Sequence, residues 1–159
     1  MSTNGFISFV AQGEAKNAYN HWDSGPEDLG INVLNWLRAA IATPEVLKAA
    51  IVALKVVDNE ESPDPTPAEV RELSRYSDRS VGNPSQSWYA LLRGTQGDPV
   101  KILASGYIIS EEPDGWTYQV DTDQQTFSVK YADLNLTWPW SALPADEEFL
   151  TETEPWTGS

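Results

Sequence analysis

The spacing of the apolar residues changes twice along this 159-residue chain, and that succession limits the folds open to it. Gly5-Phe6-Ile7-Ser8-Phe9-Val10 reads as a short, mostly buried strand. Gln12-Gly13-Glu14 is a turn signal, and Lys16 to Trp22 alternates like the second strand of a hairpin. Helical spacing then takes over: Leu29, Val33, Trp36, Leu37, Ala40 and Ile41 predict a helix through roughly residues 27–42. Ser24-Gly25-Pro26-Glu27 has capping-box spacing ahead of it. Thr43-Pro44-Glu45 restarts a helix lined by Val46, Leu47, Ala50, Ile51, Leu54 and Val57. The acidic, proline-containing stretch Asp58 to Pro65 is a loop, and Thr66-Pro67-Ala68-Glu69 opens a third helix burying Val70 and Leu73. Trp88, Leu91 and Leu92 mark an amphipathic turn or two. A short last helix runs from Gly97-Asp98-Pro99 to Gly106, its C-terminal cap.

From Tyr107 the β-type pattern returns in Tyr107-Ile108-Ile109, Trp116 to Val120 and Thr126 to Tyr131, with Asp121 to Gln125 as a hairpin turn. Trp138-Pro139-Trp140 reads as an extended piece packing back. Two strands, a block of helices, then strands is an α+β pattern rather than an alternating βαβ one. The expected architecture is one antiparallel sheet, joining the N-terminal hairpin to the C-terminal strands, with about four or five helices on one face. Residues 1–144 are expected to form a single domain and 145–159 an acidic peripheral tail.

Hydrophobic residues make up 40% of the chain, with seven Trp, six Tyr and four Phe, which is enough to bury a core. There is no cysteine, so disulfides and thiolate metal sites are excluded. No segment has the length and apolarity of a membrane span, and no signal peptide is visible, so the cytoplasm is the expected location. The net charge is −14 and unevenly spread. Residues 1–101 hold 13 acids and nine bases, whereas 102–159 hold 11 acids and one base, Lys130. Such a surface repels phosphate backbones and anionic lipid. The expected partner is a protein with a basic surface, without direct nucleic-acid or membrane binding; solubility alone also accounts for the charge.

Tyr19-Asn20-His21-Trp22-Asp23-Ser24 is the densest cluster of chemically active side chains. If the strand continues through Asp23, then Tyr19, His21 and Asp23 share one face. A carboxylate beside the chain's single imidazole would orient it as a general base. The competing reading makes Asp23 or Ser24 a helix cap and His21 a partner of the following loop. No metal is expected: His21 and Asp23 supply two ligands with no second His. Asp121 and Asp123 with Glu111, Glu112 and Asp114 lack the rest of an EF-hand pattern and read as turn acids. Ser2, as a possible amino-terminal nucleophile, has no supporting group, and no cofactor motif is present.

Trp116, Tyr118, Trp138, Trp140 and Trp156 fall in the acidic C-terminal third, and aromatic anchors amid charge are the composition of an interface. Trp116 and Tyr118 are expected on one sheet face, with Trp138 and Trp140 as the exposed pair. The expected binding set is Trp138, Trp140, Trp116, Asp121 and Asp123.

Several stretches taken together resemble a group of small proteins from actinobacteria and their phages. They are Gly5 to Val10, Ala18-Tyr19-Asn20-His21-Trp22-Asp23-Ser24-Gly25-Pro26, Leu29-Gly30 and Val33 to Leu37. The second block is Ser87-Trp88-Tyr89-Ala90-Leu91-Leu92-Arg93 with Thr95-Gln96-Gly97-Asp98-Pro99, and Tyr118 to Asp123 matches the closing strand and turn. The chain departs from the group at Ser2-Thr3-Asn4, where Gly-Thr-Arg is usual, and at Gly25, where Tyr is usual. The resemblance implies a phage or prophage source and, by itself, no activity.

Three functions are therefore weighed. The first is an accessory protein that docks on a basic surface of a host protein. The second is a small hydrolase or transferase built on Tyr19, His21 and Asp23. The third is a nucleic-acid mimic whose carboxylates stand in for phosphates.

Overall fold

A mixed five-stranded sheet organises the protein in a computed structural model that describes residues 4–110 and 115–157. The strands are β1 (Gly5–Ala11), β2 (Glu14–Asn20), β5 (Trp116–Asp121), β6 (Thr126–Tyr131) and β7 (Leu134–Pro139), in spatial order β2-β1-β5-β6-β7. The N-terminal hairpin and the C-terminal strands share one sheet, as expected for this α+β chain. Their junction, however, is parallel: β1 pairs with β5 so that Gly5 faces Trp116 and Phe9 faces Val120. A parallel pair needs a long crossover, and the intervening helical block supplies it. The other three pairings are antiparallel. Close strand approach at the junction requires a residue without a side chain, since a Cβ on Gly5 would run into the Trp116 carbonyl and the Ser24 side chain.

The helices are α1 (Ile31–Ala40), α2 (Pro44–Ala53), α3 (Pro67–Leu73), α4 (Trp88–Leu92), α5 (Pro99–Ser105) and α6 (Asp146–Thr153). A single π-helical turn, Pro26–Gly30, leads directly into α1. The main core joins Ile7, Phe9, Tyr118, Val120, Phe127 and Val129 of the sheet to Val33, Leu34, Leu37, Leu47, Ile51 and Ile102 of α1, α2 and α5. A smaller core of Leu73, Tyr76, Trp88, Leu91, Leu92, Val57 and Ile109 joins α3 and α4 to a two-stranded parallel sheet of β3 (Lys55–Val57) and β4 (Tyr107–Ile109). The helical spacing of Leu54 and Val57 suggested that α2 continued; instead the chain turns extended at Leu54. Lys16 closes that end, its Nζ donating to the carbonyls of Ile51, Val52 and Leu54 at 2.9, 2.9 and 2.8 Å.

The sheet's other face carries uncharged polar side chains in register. Asn17, Ser8, Gln119, Ser128 and Thr137 form one row across all five strands. Gln119 Nε2 donates to Ser8 Oγ at 3.3 Å, and the Ser128 and Thr137 hydroxyls lie 2.9 Å apart.

The expected capping box forms at α3 from Thr66 and Glu69, Asp98 caps α5 by accepting from Val100 and Lys101, and Thr43, expected to cap α2, makes no side-chain cap bond. Gly106 ends α5 in the left-handed conformation at φ 79°. The capping box proposed at Ser24 does not form, because its hydroxyl is engaged with Asn20 and the helix begins without a side-chain cap. The stretch after Ala145, expected at the periphery, is α6, and Phe149 on it is fully buried against Phe127 and Trp138. Phe149 and Leu150 lie among acids, which hid the buried stripe. Among the described residues no helix is long and apolar enough to cross a membrane.

Candidate functional site

The corner between β2 and α1 brings part of the Tyr19-His21-Asp23 cluster together. Tyr19 lies opposite Phe6 in the hairpin, their rings 5.6 Å apart edge to face. Its hydroxyl sits 2.7 Å from His21 Nδ1. A phenol that donates to Nδ1 leaves the imidazole proton on Nε2. The His21 backbone N–H donates to Gln96 Oε1 at 2.9 Å, and the ring packs edge to face with Trp22 and Tyr89 at 4.4 and 6.3 Å.

Asp23 takes a different path. The strand stops at Asn20, so two-residue alternation no longer applies three residues later. Asp23 adopts φ 53°, a left-handed conformation that Asp tolerates better than most residues. Its carbonyl accepts from the Leu29 N–H at 3.2 Å, which folds the chain into the π-helical turn. Among the described residues no hydrogen bond joins its carboxylate to His21. The structure thus pairs Tyr19 with His21 and places Asp23 apart.

Asn20 and Ser24 fix this corner. Asn20 Nδ2 donates to the Trp22 carbonyl at 2.6 Å and to Ser24 Oγ at 2.8 Å. Ser24 is fully buried, and its carbonyl accepts the Tyr118 hydroxyl at 2.7 Å. Burial, followed by the charges of Glu27 and Asp28, pushes the Tyr118 phenol well above its ordinary value, so it stays a donor.

Beside the corner opens a cleft of about 300 Å³. Its polar lining comes from Asn20, Asp23, Asp28, Asn32, Arg93 and Gln96, and Trp22 stands at its rim, 49% exposed. Burial, then the carboxylates of Asp23 and Glu27, raise the Asp28 carboxyl above its ordinary value. Gln96 Nε2 is shut off from solvent, with no acceptor among the described residues. Neither Arg93 nor Gln96 was legible as a site residue, being 70 residues and more beyond the corner. Gly97, at φ 78°, marks a turn there, but the contact of Gln96 with His21 is tertiary and has no local signal.

The aromatic binding set is mostly structural. Trp116 is 3% exposed and stacks on Tyr131 at 4.3 Å. Trp140, expected to be exposed, is 7% exposed because its indole N–H donates to the Thr126 carbonyl at 2.9 Å. Trp138 is half-buried against Phe127 and Phe149. The alternation of β7 turns Trp138 to the core, and the turn after Pro139 tucks Trp140 under β6. Asp121 accepts from the N–H groups of Asp123 and Gln124 and shapes the hairpin turn. Asp123 crosses to the other hairpin: it accepts from Gln12 and Gly13 N–H at 2.9 and 2.8 Å and from Lys48 Nζ at 2.9 Å. Those donors hold its carboxyl down at about 2.

Among the described residues no group of three or more His, Asp or Glu side chains could hold a metal ion. Glu111, Glu112, Asp114 and Ser2 lie outside the described residues.

The acids meet instead along the π-helical turn and α6, which pack together. Glu27 and Glu154 line one shallow depression, with Leu150, Thr151, Thr153 and Thr157. Glu147, Glu148 and Glu152 are exposed on the same helix. The charge pair at this helix is Arg38 with Asp146, 2.7 Å apart at its first turn. No family model, curated protein or solved structure matches the chain.

Proposed function

We propose that this protein is a non-catalytic binding protein that docks through its acidic face onto a basic surface of another protein. The face is built from Asp23 at the corner, Glu27 and Asp28 in the π-helical turn before α1, Glu147, Glu148 and Glu152 on α6, and Glu154 just after it. The observation that carries the reading is the mutual crowding of Asp23, Glu27 and Asp28. Burial first, and then the like charges of Asp23 and Glu27, raise the Asp28 carboxyl, so negative charge is crowded there. Among the described residues, none of these seven acids forms a salt bridge. A cationic partner would relieve that repulsion on binding, and the association would be steered by charge and weakened by salt. A phage-encoded accessory factor acting on a host protein fits this behaviour. A Tyr19–His21 pair at 2.7 Å is the feature that favours a catalytic reading, and Asp23 does not complete it.

The test is binding of an oligolysine peptide followed across a salt series, with two charge-matched variants. One carries Glu148→Lys and Glu152→Lys on α6; the other carries Glu60→Lys and Glu61→Lys in the loop before α3. The expected result is binding that weakens with salt and is lost in the α6 variant alone. Equal weakening in both variants would reduce the acidity to a general solubilising charge.

A further inference from the structure

We infer that the cleft between Trp22 and the start of α1 is a binding site for a neutral polyhydroxylated ring, a single saccharide residue. The inference goes beyond the docking face: the cleft shares Asp23 and Asp28 with it, but rests for its chemistry on Trp22, Asn32 and Arg93 beside them. The lining is chemically mixed. Asp23 and Asp28 bring carboxylates, Asn32 brings an exposed amide, and Arg93 brings a guanidinium. A bare anion entering the cleft meets Asp23 and Asp28. A bare cation meets Arg93. A hydroxyl group both donates and accepts, so a polyol can pair with carboxylate, amide and guanidinium alike without importing a charge.

The rim supplies the second element of such a site. Trp22 is a large aromatic left 49% exposed, beside a cleft rather than on an open surface. An indole face carries negative charge density that attracts the polarised C–H groups on the flat side of a sugar ring. The volume, about 300 Å³, lies at the lower end of small-molecule sites and suits one ring rather than a chain. The walls are also pre-organised. Asn20 is pinned by its bonds to the Trp22 carbonyl and Ser24, and Gln96 is pinned by the His21 N–H. Asp23 is held in a left-handed conformation by the Leu29 bond to its carbonyl, a strained arrangement of the kind that accumulates at ligand sites. His21 thereby acquires a role as a buttress of the cleft wall.

Saturation-transfer NMR tests this with methyl glycosides of glucose, galactose, mannose and N-acetylglucosamine, alongside arginine amide as a charged probe and inorganic phosphate as a competitor. The expected result is transfer to at least one glycoside, insensitive to salt, and weakened at least about tenfold by Trp22→Ala. Asn32→Ala, a second exposed lining position, should weaken it as well. The α6 variant Glu148→Lys, Glu152→Lys should bind the glycoside as wild type does, which separates this site from the docking face. No transfer to any glycoside, transfer unchanged in Trp22→Ala, preference for arginine amide, or displacement of the glycoside by phosphate would each overturn the inference. Circular dichroism of the Trp22→Ala protein confirms that any loss is not unfolding.

Discussion

The buried hydroxyl of Tyr118 donates to the carbonyl of Ser24 at 2.7 Å, fastening the centre of the sheet to the corner that shapes the cleft. Tyr118→Phe removes the donor and leaves that carbonyl buried without it. The expected cost is about 1–3 kcal/mol of unfolding free energy. Urea unfolding gives the loss, and a change in the amide resonances of Trp22 and Asp23 shows that it is felt at the corner. An unperturbed corner would mean that Asn20 and Ser24 hold it unaided.

Phe149 makes α6 part of the core. Its ring is fully buried and tilts against both Phe127 and Trp138 at 6.0 and 5.9 Å. Phe149→Ala is expected to destabilise the protein by about 3–5 kcal/mol, as truncation of a buried aromatic usually does. Neighbouring Glu148→Ala, exposed on the same helix, should fall within about 0.5 kcal/mol of wild type. Thermal unfolding of the two variants separates a core helix from an appended tail.

Gly30 is expected to tolerate no side chain. A Cβ there would lie 2.9 Å from both Phe149 Cζ and Tyr118 Cε1. Both rings are fully buried and have little room to move, so Gly30→Ala should cost about 1–3 kcal/mol despite the better helix propensity of Ala. A neutral or stabilising result in chemical denaturation would show that the junction between the π-helical turn and α6 is looser than its packing indicates.

How much of this was readable beforehand follows from which interactions are local. The hairpin, α1, the Thr66 capping box and the Gly106 cap were legible because each depends on neighbours within a few residues. The parallel pairing of β1 with β5 was not, because neither the apolar run of β1 nor the alternation of β5 carries a direction. The break after Ala53 escaped for a similar reason: Leu54 and Val57 continue the helical spacing, and the Lys16 ammonium that donates to the carbonyls at the end of α2 lies 35 to 38 residues away. Among site residues, Tyr19 and His21 come together as two-residue alternation requires. Asp23 departs because the strand ends first. Gln96 and Arg93 reach the corner through tertiary packing that no local pattern encodes.

Lys16 offers a direct measure of that non-local closure. Lys16→Met keeps most of the aliphatic stem and deletes the ammonium that serves the Ile51, Val52 and Leu54 carbonyls. The expected loss is about 2 kcal/mol, the usual magnitude for charge-assisted bonds to partly buried backbone. Lys130→Met, on an exposed side chain of β6, is the matched control and should be near neutral. Hydrogen exchange at the C-terminal end of α2 should quicken in the first variant only.

Asp123 makes acid stability a test of how the two hairpins are joined. Hydrogen bonds from Gly13, Lys48 and Gln12, in that order of influence, hold its carboxyl at about 2, below the ordinary value of 3.8. A carboxyl lowered by folding contributes stability that is complete above the unfolded value. That contribution fades as pH falls through the interval from 3.8 towards about 2, because protonation removes the charge that the two N–H groups and the ammonium address. Wild type should therefore lose stability over this interval, and Asp123→Asn should lose less over the same interval while starting lower at neutral pH. Thermal midpoints between pH 2 and pH 7 give both curves. Parallel curves would mean that the Gln12-Gly13 turn holds its shape without the carboxylate, and that β1 and β5 are aligned by their ladder alone.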